Sequence, residues 1–126
     1  MKILGIDYGD RNIGLALAEH NSIAVPYKVI NNSKQEEILL KLKEIIKEEE
    51  IELLIIGMPY SLNSKENERT GITKKFISFL KDNLNLKIEI INEQFTSKLY
   101  TKMGLRDNLD KYSATAILDT YLEQNK

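Results

Sequence analysis

Residues 1–20 read MKILGIDYGDRNIGLALAEH and contain two apolar runs separated by a polar turn. The runs at 2–7 and 13–19 have the length of short strands, and the Gly and Asp between them are typical of a hairpin turn. The first strand ends in a carboxylate, Asp7. Because acidic residues are depleted inside strands, Asp7 is the first candidate in this chain for a functional role.

The rest of the chain contains further apolar segments, whose spacing distinguishes strands from helices. Apolar residues within 38–46 recur at helical spacing, behind a predicted capping box that pairs Ser33 with Glu36. Pro26 cannot donate to a ladder, which predicts that its strand lies at a sheet edge. The remaining predicted strands are 23–30, 53–57 and 87–91, and the predicted helices are 34–49, 66–82, a short one capped by Thr96 and ended by Gly104, and 110–123.

The order of these segments predicts an α/β fold. Three meandering strands followed by alternating helices and strands are typical of a mixed sheet with helices on both faces. Crossovers through helices make the first, fourth and fifth strands parallel, and we expect a five-stranded sheet of order 3-2-1-4-5. The length of 126 residues suits a single domain spanning 1–126.

The composition excludes several classes of protein. The hydrophobic fraction of 42% supports a packed core, and the lack of cysteine rules out disulfides and thiolate metal sites. No apolar run approaches the roughly 20 residues of a membrane span, and the N-terminus does not resemble a signal peptide, so we expect a cytoplasmic protein. The net charge is −1, yet residues 65–111 hold 10 Lys/Arg against 7 Asp/Glu. That imbalance is compatible with a local nucleic-acid-binding face and equally with solvated helix surfaces.

Three acidic residues lie at the ends of elements that we expect to meet. The carboxyl ends of parallel strands open on one edge of a sheet, where ligands gather, and Asp7 and Glu93 follow two of these strands. Asp110 begins the apolar, core-facing stripe of the last helix, four residues before Ala114. Carboxylates brought together repel one another, and a divalent cation such as Mg²⁺ relieves that repulsion. A two-metal arrangement would hold the attacking water and the leaving oxygen of a phosphodiester.

Each of these acids also has an ordinary explanation. An Asp at the start of a helix, such as Asp110, commonly caps the helix or pairs with its dipole. Glu93 taken alone is a loop acid of a kind that is more often inert than functional. The spacing therefore leaves a metal site and a purely structural role both open.

Four segments, in order along the chain, resemble the signatures of one family. They are GIDYGDRNIGLALAE at 5–19, LLIIGMP at 53–59, INEQFTS at 91–97 and LDKYSATAILDTYL at 109–122. They are similar to the G-x-D-x-G…IG-x-A hairpin, the apolar strand ending in G-x-P, the D-E-R-L-T-T segment and the D-x-x-A-A-x-x-I-L-x-x-Y-L helix of the YqgF/RuvX family. The resemblance covers essentially the whole chain.

That family is similar to the RNase H-like nucleases and integrases and to Holliday junction resolvases. The resemblance implies an RNase H-like fold and an Asp–Glu–Asp site, matched here by Asp7, Glu93 and Asp110 as catalytic residues and metal ligands. It implies Mg²⁺ or Mn²⁺ as cofactor and a nuclease that processes the 5′ end of the 16S rRNA precursor. The older description of the family, Holliday junction resolvase, implies branched DNA as the alternative substrate. A resolvase should act as a symmetric dimer, but the sequence shows no dimer face, and monomer and homodimer both stay open.

The sequence departs from the family pattern at positions that affect how phosphates are held. Asn92 and Gln94 replace an Asp and an Arg on either side of the glutamate, and Asn12 replaces an Arg of the first turn. The basic side chains that could hold the substrate backbone, and that are equally ordinary as surface residues, are Arg11, Arg69, Lys74 and Lys75.

Two other classes of protein share parts of this pattern. The Asp-x-Gly hairpin also opens sugar kinases and actin-like ATPases, but those proteins need two such domains around the nucleotide, and 126 residues supply one. A non-catalytic nucleic-acid-binding module could keep the fold without turnover, because fold alone does not establish activity. A cleavage assay with divalent metal separates a nuclease from such a module.

Overall fold

Five strands and three helices make up the described part of the chain. The structure is a computed structural model, and it describes residues 1–19, 22–60, 66–92 and 109–125. The strands are β1 (Lys2–Tyr8), β2 (Asn12–Glu19), β3 (Val25–Asn31), β4 (Ile51–Met58) and β5 (Lys87–Asn92), and the helices are α1 (Gln35–Glu48), α2 (Glu68–Asn83) and α3 (Leu109–Gln124). The predicted short helix between Thr96 and Gly104 lies outside the described residues.

The strands form one mixed sheet in the order β3-β2-β1-β4-β5, which confirms the predicted α/β fold and strand order. β1 pairs antiparallel with β2 and parallel with β4, and β5 continues the parallel half beside β4. Three neighbouring strands therefore point the same way. They end at Tyr8, Met58 and Asn92, and we call this side of the sheet the carboxyl edge.

Helices cover both faces of the sheet, as predicted, because the central strands are apolar on both sides. Leu4 and Ile6 of β1 pack in one buried cluster with Ile38 of α1 and Phe76 of α2. Ile3, which points to the opposite face, belongs to a second cluster formed with buried residues of α3. Each fully buried aliphatic side chain in these clusters contributes about 1.5–3 kcal/mol through removal from water. The two clusters fix the sheet between α1 and α2 on one side and α3 on the other.

β3 is an edge strand, as Pro26 predicted. The proline lies opposite Ala16, beside a register shift between Leu15 and Ala16 that interrupts the ladder from β2 to β3. A proline is tolerated in a sheet at an edge or a bulge because its missing N–H removes one ladder hydrogen bond. Both conditions are met at this position.

The beginning of α1 differs from the prediction. The Ser33–Glu36 capping box is wrong, because the N-cap residue is Lys34 and no side chain caps it. Ser33 lies one residue too early, and its backbone N–H donates to the carbonyl of Asn31 at the end of β3, 3.0 Å away.

Within the described ranges, no helix has the length and apolar character needed to cross a membrane.

α3 approaches β1 most closely at Gly5. A Cβ atom built on Gly5 would lie 3.0 Å from Cβ of Leu118 and 3.1 Å from the carbonyl oxygen of Ala114. Both atoms belong to the rigid part of the helix, so neither can move away without shifting α3. Gly5 is therefore required by packing.

We expect Gly5→Ala to destabilise the protein by about 1–3 kcal/mol, because overpacking forces α3 away from the sheet. The matched control is Gly71→Ala in α2, where the added Cβ meets nothing within 4 Å. That control should stabilise by about 0.4–1 kcal/mol, since it removes a glycine from a helix. Urea unfolding of both variants measures the difference, and a Gly5→Ala protein as stable as the parent would contradict the close contact.

Candidate active site at the carboxyl edge

The carboxyl edge brings the ends of three parallel strands side by side. Ile6 of β1 is in register with Ile56 of β4, and Met58 at the end of β4 is in register with Asn92 at the end of β5. Ligands of open α/β sheets bind outside such strand ends, where the backbone leaves the sheet and the flanking loops diverge. This edge is the place where the sequence predicted a site.

Asp7 lies at this edge on the side of the sheet that α3 covers. Side chains alternate along a strand, so Asp7 follows Ile3 and Gly5 on the face that packs against α3. The residue paired with it on β2 is Gly14, so no side chain of β2 lies across from the carboxylate. Asp7 is half-buried. The strand thus delivers a carboxylate to the edge and does not enclose it in the core.

The direction of α3 brings its first turn to the same edge. Asp119, late in the helix, accepts a hydrogen bond of 3.1 Å from the backbone N–H of Ala24. Ala24 directly precedes β3, whose first residue, Val25, pairs with Leu17 near the opposite edge of the sheet. Since Ala114 lies over Gly5 in the middle of β1, the start of the helix points toward the carboxyl edge.

The core-facing stripe of α3 is confirmed for its described members, Ala114, Ile117 and Leu118, which are all buried. The next member, Tyr121, is half-buried, and its hydroxyl bonds to the carboxylate of Glu89 on β5. Burial, with Glu89 adding to it, raises the pKa of Tyr121 above its usual value. This contact ties the late part of α3 to the sheet away from the edge.

Of the three predicted acids, Asp7 is the one whose side chain the structure describes, and it lies at the carboxyl edge. Asp110 lies in the first turn of α3, one helical turn before Ala114, but its side chain lies outside the described part, as does Glu93. Among the residues whose positions are described, no three acidic or histidine side chains cluster. The triad is therefore still a prediction. The described backbone brings two of its elements, β1 and the first turn of α3, toward the same edge.

Arg69 of α2 holds the turn that follows Asp7. Its guanidinium donates to the carboxylate of Asp10 and, at 2.8 Å, to the backbone carbonyl of Tyr8. An arginine fork of this kind fixes geometry as well as charge. Among the other predicted phosphate-holding residues, Lys74 forms an ion pair with Glu66, and Arg11 and Lys75 are exposed.

The same turn is held from the other side by Asn32, which the sequence interpretation missed. The Asn32 side-chain amide donates to the carbonyl of Gly9 at 2.7 Å, and its backbone N–H donates to the carbonyl of Arg11 at 2.8 Å. The N–H of Gly9 donates in turn to the carbonyl of Asn12 at 3.0 Å. These bonds join the end of β3 to the hairpin and leave the segment after Asp7 little freedom.

The loop after β4 is braced by the beginning of α2. Asn67 and Thr70 form a capping box, and both side chains also donate to the carbonyl of Pro59 at 3.1 Å. Beside them the ring of Tyr8 stacks on Phe76, with centroids 3.9 Å apart. Asn67 is a residue type that favours an N-cap, whereas its pairing with Thr70 and the contacts with Pro59 depend on the folded structure. The ends of β1 and β4 are thus fastened to one helix.

The order of the sheet, with an aspartate at the end of its central strand, is that of the RNase H-like fold. The fold is similar to that of Thermus thermophilus RuvC, solved in complex with a Holliday junction substrate, with a TM-score of 0.61 and 17% identity over 93% of this chain and 90% of that chain. This likeness concerns the fold alone.

The chain belongs to the RuvX family. Residues 1–124 match the family model described as "RuvX: Holliday junction resolvase". A relative from Sulfurihydrogenibium sp. (strain YO3AOP1) is 35% identical over 98% of this chain and 90% of its own length. Another, from Maridesulfovibrio salexigens, is 33% identical over 97% of this chain and 98% of its own length. Both carry the name "Putative pre-16S rRNA nuclease". The family resemblance expected from the four sequence signatures is confirmed.

We expect two neighbouring threonines of α2 to respond oppositely to replacement by valine. Thr70→Val removes the hydroxyl that accepts from the N–H of Asn67 and donates to Pro59, and should cost about 1–3 kcal/mol. Thr73 is equally buried, but its hydroxyl has no hydrogen-bond partner in the described structure. Thr73→Val should therefore be neutral or stabilise by up to about 1 kcal/mol. Thermal unfolding of both variants checks this, and equal losses would contradict the bonds described.

Proposed function

We propose that this protein is a divalent-metal-dependent nuclease that hydrolyses phosphodiester bonds in the 5′-end maturation of precursor 16S rRNA. The observation that carries the proposal is the position of Asp7, on the face that α3 covers and at the carboxyl edge toward which the start of α3 points. The names of the two relatives, which align over almost the whole chain, support the RNA substrate.

We assign catalysis and metal binding to Asp7, Glu93 and Asp110. Their carboxylate oxygens are the ligands that Mg²⁺ and Mn²⁺ prefer. Asp7 is half-buried at the end of β1, and the β2 residue paired with it is Gly14, which has no side chain. When bound, a two-metal centre supplies an activated water and stabilises the leaving oxygen. The protein's own contribution is to keep Asp7 in place through the contacts of Arg69 and Asn32 with the adjoining turn.

The proposed nucleic-acid contacts come from basic residues near the same edge. Lys74 and Lys75 project from α2, and Arg11 projects from the hairpin turn. Arg69 is already engaged with Asp10, so in this assignment it orders the turn. Because the net charge of the chain is −1, binding of a nucleic acid depends on the local positive field of these side chains.

A second candidate function is the resolution of Holliday junctions. The family description, "RuvX: Holliday junction resolvase", favours it. Symmetric cutting of two strands requires a homodimer, whereas rRNA processing is compatible with a monomer. We place the protein in the cytoplasm as one domain spanning 1–126 in either case.

We expect Asp7→Asn to abolish cleavage while keeping or raising the stability of the metal-free protein, because one of three like charges is removed. The matched control, Asp82→Asn, makes the same chemical change at an exposed position of α2 and should cut at the parent rate. Cleavage of labelled RNA in Mn²⁺ and urea unfolding in EDTA give the two measurements. An Asp7→Asn protein that is destabilised by about 1–3 kcal/mol yet still cuts would assign Asp7 to the fold.

The substrate is decided by running the parent protein on two labelled substrates in Mg²⁺ and in Mn²⁺. One is an RNA spanning the 5′ end of the 16S sequence with its leader, and the other is a four-way DNA junction with matched linear duplexes. Cleavage of the RNA at a single position supports the rRNA function. Paired symmetric cuts in the junction, with the RNA left intact, would establish resolution in its place.

We expect divalent metal to raise the melting temperature, and Mn²⁺ to do so more than Mg²⁺. A ligand at a concentration equal to its dissociation constant stabilises the fold by about 0.4 kcal/mol, which corresponds to about 1–2 °C for a chain of this size. The shift should disappear in Asp7→Asn and persist in Asp82→Asn. A melting curve that ignores both metals up to tens of millimolar would count against the metal site.

A further inference from the structure

A cleft of about 290 Å³ opens between α2 and the ends of β4 and β5. Its floor is apolar, formed by Met58, Ile77 and Ile90. Its rim carries the phenol of Tyr60 and the ammonium groups of Lys74 and Lys81. Ile90 keeps 44% of its surface exposed, so part of this apolar floor remains open to solvent.

We propose that this cleft binds a single unstacked nucleotide of the substrate strand. The base lies against the apolar floor and the ring of Tyr60, and the flanking phosphates lie on Lys74 and Lys81. The proposal rests on the proposed nuclease function and adds to it a site for a single-stranded segment beside the cut.

The spacing along α2 supports this arrangement of charge. Lys74, Ile77 and Lys81 are separated by three and four residues, so they form one stripe of the helix. With a rise of 1.5 Å per residue, the two lysines are about 10 Å apart along the axis. The apolar floor lies between them, as expected for a base with a phosphate on each side.

The size and chemistry of the cleft favour a nucleotide from a single strand. Its volume is near the lower end of the roughly 300–1,000 Å³ typical of small-molecule sites, too small for a duplex. Single-stranded nucleic acids are held by base stacking on aromatic rings together with cationic side chains along the backbone. Tyr60 supplies the ring, and the described lining contains two cations and no carboxylate.

The cleft lies next to the proposed catalytic edge. Met58 ends β4, which is the parallel neighbour of β1, and neighbouring strands are about 4.8 Å apart. Met58 packs in the cluster shared with α1 and α2, whereas Asp7 follows Gly5 on the α3 face. A strand that crosses the carboxyl edge can therefore have its cut phosphate on one face and a neighbouring nucleotide on the other.

Glu66 competes with the proposed ligand for one of the two lysines. It forms an ion pair with Lys74, and both side chains remain largely exposed. Exposed pairs of this kind contribute little stability, so a phosphate can replace the carboxylate. Glu66→Gln is therefore expected to tighten binding of the strand about two- to fivefold.

The test measures binding of a fluorescein-labelled RNA decamer in EDTA, where no cleavage occurs, across a series of salt concentrations. The double variant Lys74→Gln/Lys81→Gln should reduce the slope of log affinity against log salt by about 1.4, because each phosphate contact on a single strand contributes about 0.7. The control Lys41→Gln/Lys43→Gln removes the same charge from exposed positions of α1 and should leave the slope unchanged. Equal slopes for the two double variants would overturn the proposal.

Stacking is tested by Tyr60→Ala, which should weaken binding of the decamer about tenfold, and by Tyr60→Phe, which keeps the ring and should bind as the parent does. Binding of the same RNA annealed to its complement should not respond to Tyr60→Ala.

A free mononucleotide that displaced the decamer at micromolar concentration would make the cleft a nucleotide-effector site and overturn the proposal. So would parent-like binding by both the Tyr60→Ala and the double lysine variants in a protein that cuts RNA in Mn²⁺. Lack of cleavage by the parent protein would instead count against the nuclease function alone.

Discussion

The contact between α3 and the middle of β1 is the constraint on which the site depends. Because Gly5 has no side chain, the helix can lie with Ala114 and Leu118 almost against the strand backbone. The hydrogen bond from Ala24 to Asp119 then sets the direction of the helix. A wider separation would leave the sheet intact, but it would carry the first turn of α3 away from the edge where Asp7 lies. Packing at a glycine therefore sets the separation between β1, which carries Asp7, and α3, which carries Asp110.

Much of the fold could be predicted because its strongest signals are local. Ile3, Leu4 and Ile6 show that β1 is apolar on both faces, and such a strand requires cover on both sides. Helical spacing likewise identified the buried stripe of α3, and Pro26 identified the edge strand. These patterns are preserved in the structure because the hydrophobic effect is non-directional. An apolar side chain can be buried by any apolar neighbour, so the pattern does not depend on which residues pack against it.

The details of the site were less predictable because they depend on partners that are remote in sequence. Arg69 reaches back to Tyr8 and Asp10, and Asn32 reaches back to Gly9. In the sequence each looks like an ordinary polar surface residue, and the bonded groups include backbone carbonyls, which carry no sequence signature. The capping box assigned to Ser33 failed for a local reason, since the Ser33 N–H bonds to Asn31 at the end of β3 and the N-cap residue is Lys34. Asp7 was singled out as a candidate because acidic residues are depleted inside strands.

The irregular outer strand limits how copies of this chain can associate. β3 carries Pro26, a shifted register and the exposed Lys28, all features that discourage a further strand from adding to an edge. Two sheets therefore do not readily merge through backbone pairing along β3. A symmetric assembly able to engage two nucleic-acid strands would form through side chains or through β5, the other outer strand of the described sheet. In an assembly built on side chains, the spacing between the carboxyl edges of the two copies would follow from side-chain packing.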